Sequence, residues 1–156
     1  RGLGDVYKRQ IPNTVILIYE KAFSLNLTLE MITFGENVET IGDEAFSGCE
    51  NLVNVNFNNA PIKSIGTKAF ERCHSLDTIV LPTQLEKLGS SVFMGCSQLV
   101  EIYFSNTILE IGRNCFTGCT SLETIYTDFD FVDQLKVIFA QNNEKFIDYI
   151  TGTSRN

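Results

Sequence analysis

The sequence predicts a β-rich solenoid, and three observations predict it. First, one string recurs: an aliphatic residue, Ile-Gly or Leu-Gly three residues on, Phe four later, Cys three after that, then Leu-x-x-Ile-x-Phe. Clear copies begin at Val38, Ile62, Leu85 and Ile108. Second, their marker glycines, Gly42, Gly66, Gly89 and Gly112, follow one another at steps of 24, 23 and 23 residues. Self-similarity at such a period is the signature of stacked, quasi-identical turns. Third, 156 residues with 44% hydrophobic content and a mean hydropathy of +0.04 describe a folded chain with a real core. No apolar run reaches the length that spans a membrane.

In chain order, Arg1 to Gln10 matches nothing in the repeat. Its DVYKRQ string looks like the translation of a transposon-end adapter used in preparing sequencing libraries, so residues 1–10 are expected to be an artefact outside the fold. These ten residues carry a net charge of +2, which leaves −9 for the remainder. On this reading the natural N-terminus and upstream repeats are missing. A degenerate copy follows, with Val15, Ile18, Phe23, Leu29, Ile32 and Phe34 in step, Tyr19 in place of Gly and Asn26 in place of Cys. Asn26-Leu27-Thr28 is formally a glycosylation sequon, but Asn26 falls at a position expected to be buried.

Within a turn, Leu-x-x-Ile-x-Phe ends in period-two alternation, as in Val55 and Phe57 or Ile102 and Phe104, which describes a short strand buried on one face. The preceding step, such as Val38 to Ile41, reads as a second extended piece whose Gly stands where a side chain would obstruct. The Ala-Phe-x-x-Cys piece is expected to form a single helical or 3₁₀ turn that plugs Phe into the coil. One turn cannot bury enough surface to offset its own ordering, so stability must come from stacked neighbours. Residues 11–127 are thus read as a solenoid of about five 23-residue turns. After Thr127 the spacing of Phe131, Leu135, Ile138, Phe139, Phe146, Ile147 and Ile150 becomes helix-compatible. Residues 128–150 are expected to be a helical C-terminal cap, with Asp130 or Asp133 as N-cap and Asn142-Asn143 interrupting the helix. Residues 151–156 are expected to be a polar, disordered tail.

Of five cysteines, Cys49, Cys73, Cys96 and Cys119 share one repeat position, and Cys115 replaces a small residue before the repeat Phe. Such placement describes packing, since buried Cys behaves as a small hydrophobe. Rungs about 4.7–4.9 Å apart leave bridging sterically open. Reduced thiols are nevertheless expected, because spacing alone does not supply the required side-chain orientation. The one histidine, His74, has no partner at metal-ligand spacing. No phosphate-binding, dinucleotide-binding or nucleophile-elbow motif occurs, and Glu101 and Glu123 have no identifiable acid partner. The expectation is therefore a non-enzymatic protein without metal or cofactor. Twelve Lys and Arg against 19 Asp and Glu, a net charge of −7, argue against nucleic acid or an anionic membrane surface as partner.

Ile-Gly-x-x-x-Phe-x-x-Cys-x-x-Leu-x-x-Ile at a 23-residue step resembles the BspA-like (Treponema pallidum type) class of leucine-rich repeats, over about Val15 to Thr127. Proline after the last strand residue, frequent in that class, stands only at Pro12 and Pro82, with Gly35, Asn58 and Ser105 elsewhere. The resemblance implies a curved solenoid, exposed on a cell surface or secreted, that binds host matrix proteins or another cell-surface protein in adhesion. An intracellular (cytoplasmic) scaffold and a structural spacer are the alternatives. A protein ligand is expected on the concave face, where alternation turns Thr33, Asn56, Val80, Tyr103 and Tyr126 outward in one column, flanked by Met31, Asn54, Thr78, Glu101 and Thr124.

Overall fold

A computed structural model describes residues 7–154. Each turn up to Ile111 contributes one strand to each of two sides of a coil, and the chain beyond it adds two more strands to the first side. One side carries β1 (Lys8–Gln10), β3 (Met31–Thr33), β5 (Asn54–Asn56), β7 (Thr78–Val80), β9 (Glu101–Tyr103), β11 (Thr124–Asp128) and β12 (Ile150–Thr153). The other carries β2 (Leu17–Ile18), β4 (Thr40–Ile41), β6 (Ser64–Ile65), β8 (Lys87–Leu88) and β10 (Glu110–Ile111). Every pairing is parallel and joins strands of successive turns. The second side forms one continuous sheet, while the first is split into β1-β3-β5 and β7-β9-β11-β12.

The repeat glycines act through close approach. None of the four marker glycines has a positive φ, but a Cβ on Gly42 would stand 2.7 Å from Glu20 N, and one on Gly89 2.6 Å from Thr67 N. The degenerate copy tolerates Tyr19 because β2 is the edge strand, and Tyr19 is 74% exposed.

The Ala-Phe-x-x-Cys piece is not the expected helical or 3₁₀ turn. It is a run of hydrogen-bonded turns in which alternate N–H groups serve different partners. Ser47 N–H and Cys49 N–H donate within the turn, to Glu44 O and Phe46 O, whereas Phe46 N–H and Gly48 N–H donate to Ala69 O and Glu71 O of the next. The split requires left-handed backbone at Glu44, Lys68, Ser91 and Asn114 (φ 53° to 58°). A non-glycine residue there costs on the order of 1 kcal/mol. The N–H groups of Glu44, Lys68 and Ser91 hold the conformation by bonding to the following turn.

Side chains at equivalent positions stack into columns. Phe23, Phe46, Phe70, Phe93, Phe116 and Phe139 form one, with successive centroids 5.1 to 6.0 Å apart and planes within 14°. Ile32, Val55, Ile79, Ile102 and Ile125 form another, all buried. Cys49, Cys73, Cys96 and Cys119 form a third. Each thiol donates to a carbonyl of the preceding turn, at Phe23, Phe46, Phe70 and Phe93, over 3.1 to 3.3 Å. Asn26 stands at the head of this column, half-buried rather than buried, with Oδ1 accepting from Thr28 N–H and Leu29 N–H.

Past β11 come a 3₁₀ turn (Phe129–Phe131), the helix α1 (Val132–Ala140), a second 3₁₀ stretch (Glu144–Tyr149) and β12. Leu135, Ile138 and Phe139 of α1 are buried. Neither Asp130 nor Asp133 is the N-cap: Phe131 occupies that position, and Asp133 lies in the first turn, where its charge suits the helix dipole.

Two boundary expectations are corrected. Lys8–Gln10, set outside the fold from sequence, pair with Met31–Thr33 as β1, although all three residues are exposed. An unpaired edge bonds through backbone groups, which any side chains can supply. The rest of the expected artefact, residues 1–6, lies outside the described residues. The expected tail is likewise ordered over Thr151–Thr153, which continue β12 along β11, while residues 155–156 lie outside the described residues.

Phe93→Ala is expected to lose about 3–5 kcal/mol, because Phe70 and Phe116 flank it in the column and cannot collapse into the space. Tyr19→Ala, at the exposed edge, should stay within about 0.5 kcal/mol. Urea unfolding of both variants measures the difference, and equal costs would disprove the columnar core.

The cysteines are free and buried, and burial pushes the thiols of Cys49 and Cys115 up to about 11 and that of Cys119 up to about 12, from 9.0. Because the folded values are raised, this contribution to stability is intact below pH 9 and is lost as pH rises through 11 to 12. The urea midpoint should therefore fall above pH 9, and iodoacetamide near neutral pH should label the thiols only after unfolding. Rapid labelling of the native protein would contradict the buried ladder.

Candidate protein-binding face

On the strand side that bears β3 to β11, the middle residue of each three-residue motif points into the core and its two neighbours point out. Parallel pairing without offset then brings like positions together. Thr33 lies opposite Asn56, Val80 opposite Tyr103, and Tyr103 opposite Tyr126. In the flanking column Met31 lies opposite Asn54, and Thr78, Glu101 and Thr124 follow one another. Asn54, Asn56, Thr78 and Val80 are exposed, whereas Thr33, Glu101, Tyr103, Thr124 and Tyr126 are half-buried.

Tyr103 and Tyr126 are the largest side chains on this face. Their rings stack with centroids 4.6 Å apart and planes 18° from parallel, close to the strand spacing itself. Tyr103 OH donates to Glu101 Oε2 over 3.3 Å, which ties the two columns together. Stacking and this bond hold the rings in place before any partner arrives.

The two columns are interrupted where Asn56 would meet Val80, because β5 and β7 do not pair. Sequence reasoning treated the stripe as continuous. The one available signal was the 24-residue step from Gly42 to Gly66 among steps of 23. The face also extends further than expected: Gln10 continues the column beyond Thr33, and Thr151 continues it beyond Tyr126. Both lie in segments assigned to an artefact or a tail, and the repeat signature is too weak there to reveal a strand.

Other chemistry has little to stand on. Among the described residues no group of three or more His, Cys, Asp or Glu could hold a metal ion. His74 sits half-buried on a turn. The thiols are held protonated by burial. No helix among the described residues is long and apolar enough to cross a membrane.

Residues 7–145 match the BspA type leucine rich repeat region in six copies. No curated protein is similar enough to stand as a relative. Among solved structures, a leucine rich repeat protein of T. pallidum is 30% identical, with a TM-score of 0.75 over 81% of this chain and 61% of that one. A leucine rich cell surface protein of Faecalibacterium prausnitzii is 25% identical, with a TM-score of 0.74 over 96% of this chain and 36% of its own. The pneumococcal vaccine antigen PcpA, at 18% identity and a TM-score of 0.75, covers 96% of this chain and 42% of its own and shares the fold. The chain therefore spans less than two thirds of the length of each of these proteins. With the repeat matched across most of its length, the chain belongs to the BspA-type leucine-rich repeat family.

Proposed function

We propose that the chain is a non-enzymatic protein-binding module, exposed at a cell surface and acting in adhesion to host matrix or to another cell-surface protein. The observation that carries this reading is the stacked Tyr103–Tyr126 pair on the outward sheet face. Paired tyrosines present large, rigid contact area with a polar tip, the chemistry of interface hot spots. The neighbouring Thr33, Asn54, Asn56, Thr78, Val80, Glu101 and Thr124 supply adaptable polar contact around that anchor. A net charge of −7 favours a neutral or basic partner surface. The cell-surface description of the Faecalibacterium prausnitzii protein supports the location by family likeness. The unbridged thiols are the one observation that favours an intracellular scaffold, and detecting export of the full gene product decides between the two.

The segment after Thr127 is, on this reading, a cap for a stack of about five turns. Phe139 stacks 5.7 Å from Phe116 in the aromatic column, and β12 covers the edge of β11. Asn142 Nδ2 donates to Ile111 O and Asn143 Nδ2 to Gly112 O, while Asn143 Oδ1 accepts from Cys115 N–H. Such bonds satisfy the strand edge that a further turn would otherwise cover.

Truncation after Thr127 should therefore uncover the last turn's apolar end and strand edges and cause self-association. Sedimentation of the truncated chain as a clean monomer would rule out the cap. For the face, the Tyr103→Ala/Tyr126→Ala double variant should stay folded and bind immobilised matrix proteins or host cells about 30-fold more weakly, the equivalent of about 2 kcal/mol. Full-strength binding by the folded double variant would remove the tyrosine pair from the interface.

A further inference from the structure

The solenoid departs from its own period between β5 and β7. At the β1–β3, β3–β5, β7–β9 and β9–β11 junctions, the residue after a strand donates its N–H to the carbonyl of the residue paired with that strand's last residue: Ile11 to Thr33, Phe34 to Asn56, Leu81 to Tyr103 and Phe104 to Tyr126, over 2.8 to 3.0 Å. Phe57 makes no such bond to Val80. Asp77 N–H and Thr78 N–H likewise make no bond to Val53 O, although their counterparts Val100 and Glu101 both donate to Asp77 O. The cause lies in the loop that follows β5. The interval from Phe57 to Ile62 holds one residue more than the intervals Phe34–Val38, Leu81–Leu85 and Phe104–Ile108. Asn58 and Asn59 absorb the extra length in left-handed backbone (φ 47° and 57°). The chain thus leaves the ladder just where Phe57 would have bonded.

The splayed strands enclose an open cleft of about 520 Å³. We propose that this cleft is a binding site for a neutral saccharide. Its volume lies within the usual range for small-ligand sites. Asn54, Asn56, Asn58 and Asn59 line it, together with Asp77 and Thr83. Asn56 Oδ1 already accepts from Asn58 N–H and Asn58 Nδ2 donates to Phe34 O, while the amides of Asn54 and Asn59 offer donors and an acceptor and the Asp77 carboxylate accepts, a combination that matches hydroxyl groups able to do either. No Lys or Arg lines the cleft, so a phosphate, sulfate or carboxylate ligand would meet Asp77 without a counter-charge. A peptide strand added at the unpaired edges is the competing occupant, and the peptide arm of the test separates it from a saccharide. Val80, 51% exposed, adds an apolar patch to the cleft wall against which the C–H groups of a sugar ring can pack. The cleft shares Asn54, Asn56, Thr78 and Val80 with the outward face but not the tyrosine pair, and saccharide binding in it does not depend on the protein-binding reading.

The test is amide NMR on the full chain, titrated separately with neutral hexose oligosaccharides of four to six units (glucose, mannose and galactose series), a heparin hexasaccharide and a Gly-Ser peptide. At least one neutral series should give saturable shifts at residues 54–60 and 77–83, with a Kd of about 1 mM or tighter. The Asn54→Ala/Asp77→Ala variant, altered only at exposed positions, should keep its spectrum and bind at least about tenfold more weakly. Deleting Asn59, which restores the 23-residue step, should close the cleft and abolish the shifts. The proposal is overturned if no neutral series shifts these amides at about 10 mM, if only heparin or the peptide does, or if the double variant binds as tightly as the parent chain.

Discussion

Everything in this molecule depends on the distance between one turn and the next. Parallel strands hydrogen-bond at about 4.7–4.9 Å, and once that spacing is imposed, every position in the turn becomes a column with a neighbour above and below. Phenylalanines can stack because their centroids, 5.1 to 6.0 Å apart, nearly match it. Gly42 and Gly89 have no room for a Cβ for the same reason, since backbone of the preceding turn lies under 3 Å from where it would stand. The cysteines fit because a thiol reaches one carbonyl of the preceding turn without adding bulk. Departures are tolerated where a column ends, which is where Tyr19 and Asn26 are found.

The cross-section was legible in the sequence because a column writes the same residue type at each turn. The buried positions, both strand sets and the outward face could be read from period and alternation alone. What the sequence concealed is whatever a neighbouring turn imposes. Lys68 and Arg72 have no local preference for left-handed backbone, yet both adopt it (φ 58°), and the N–H of each bonds to the next turn. A propensity-based reading therefore finds a helical turn where a run of linked turns exists. β1 and β12 were hidden differently, because an edge strand is recruited through backbone groups and needs no signature. On the candidate face, alternation revealed which residues point outward but not that the columns stop between Asn56 and Val80. The 24-residue step was visible, but its effect depended on where the extra residue would be absorbed.

The edges of the described stack differ. At the C-terminal end, the amide groups of Asn142 and Asn143 take over bonds to Ile111, Gly112 and Cys115. In the body of the coil a glycine N–H fills the first of these roles, as Gly112 N–H does for Leu88 O. Side-chain amides can imitate a missing turn because they carry a donor and an acceptor at peptide-like spacing. At the other end, Ile16, Leu17, Tyr19 and Leu25 remain 40% to 74% exposed beside the free edge of β2.

The same geometry separates what the fold needs from what recognition can use. Inward residues of the strand side are held to one chemical type by their columns, from Ile32 through Val55 and Ile79 to Ile125, all buried. Outward residues take no part in the ladder through their side chains, and there the type changes at nearly every turn: Thr33, Asn56, Val80, Tyr103. Only Tyr103 and Tyr126 repeat, and repetition makes their rings stack at the ladder's own spacing. That stack restrains both side chains, so in the proposed interface less rotamer entropy would remain to be lost on binding. A scaffold built on one spacing thus pre-orders the largest contact surface on its outward face, and identity at two adjacent turns is sufficient for it.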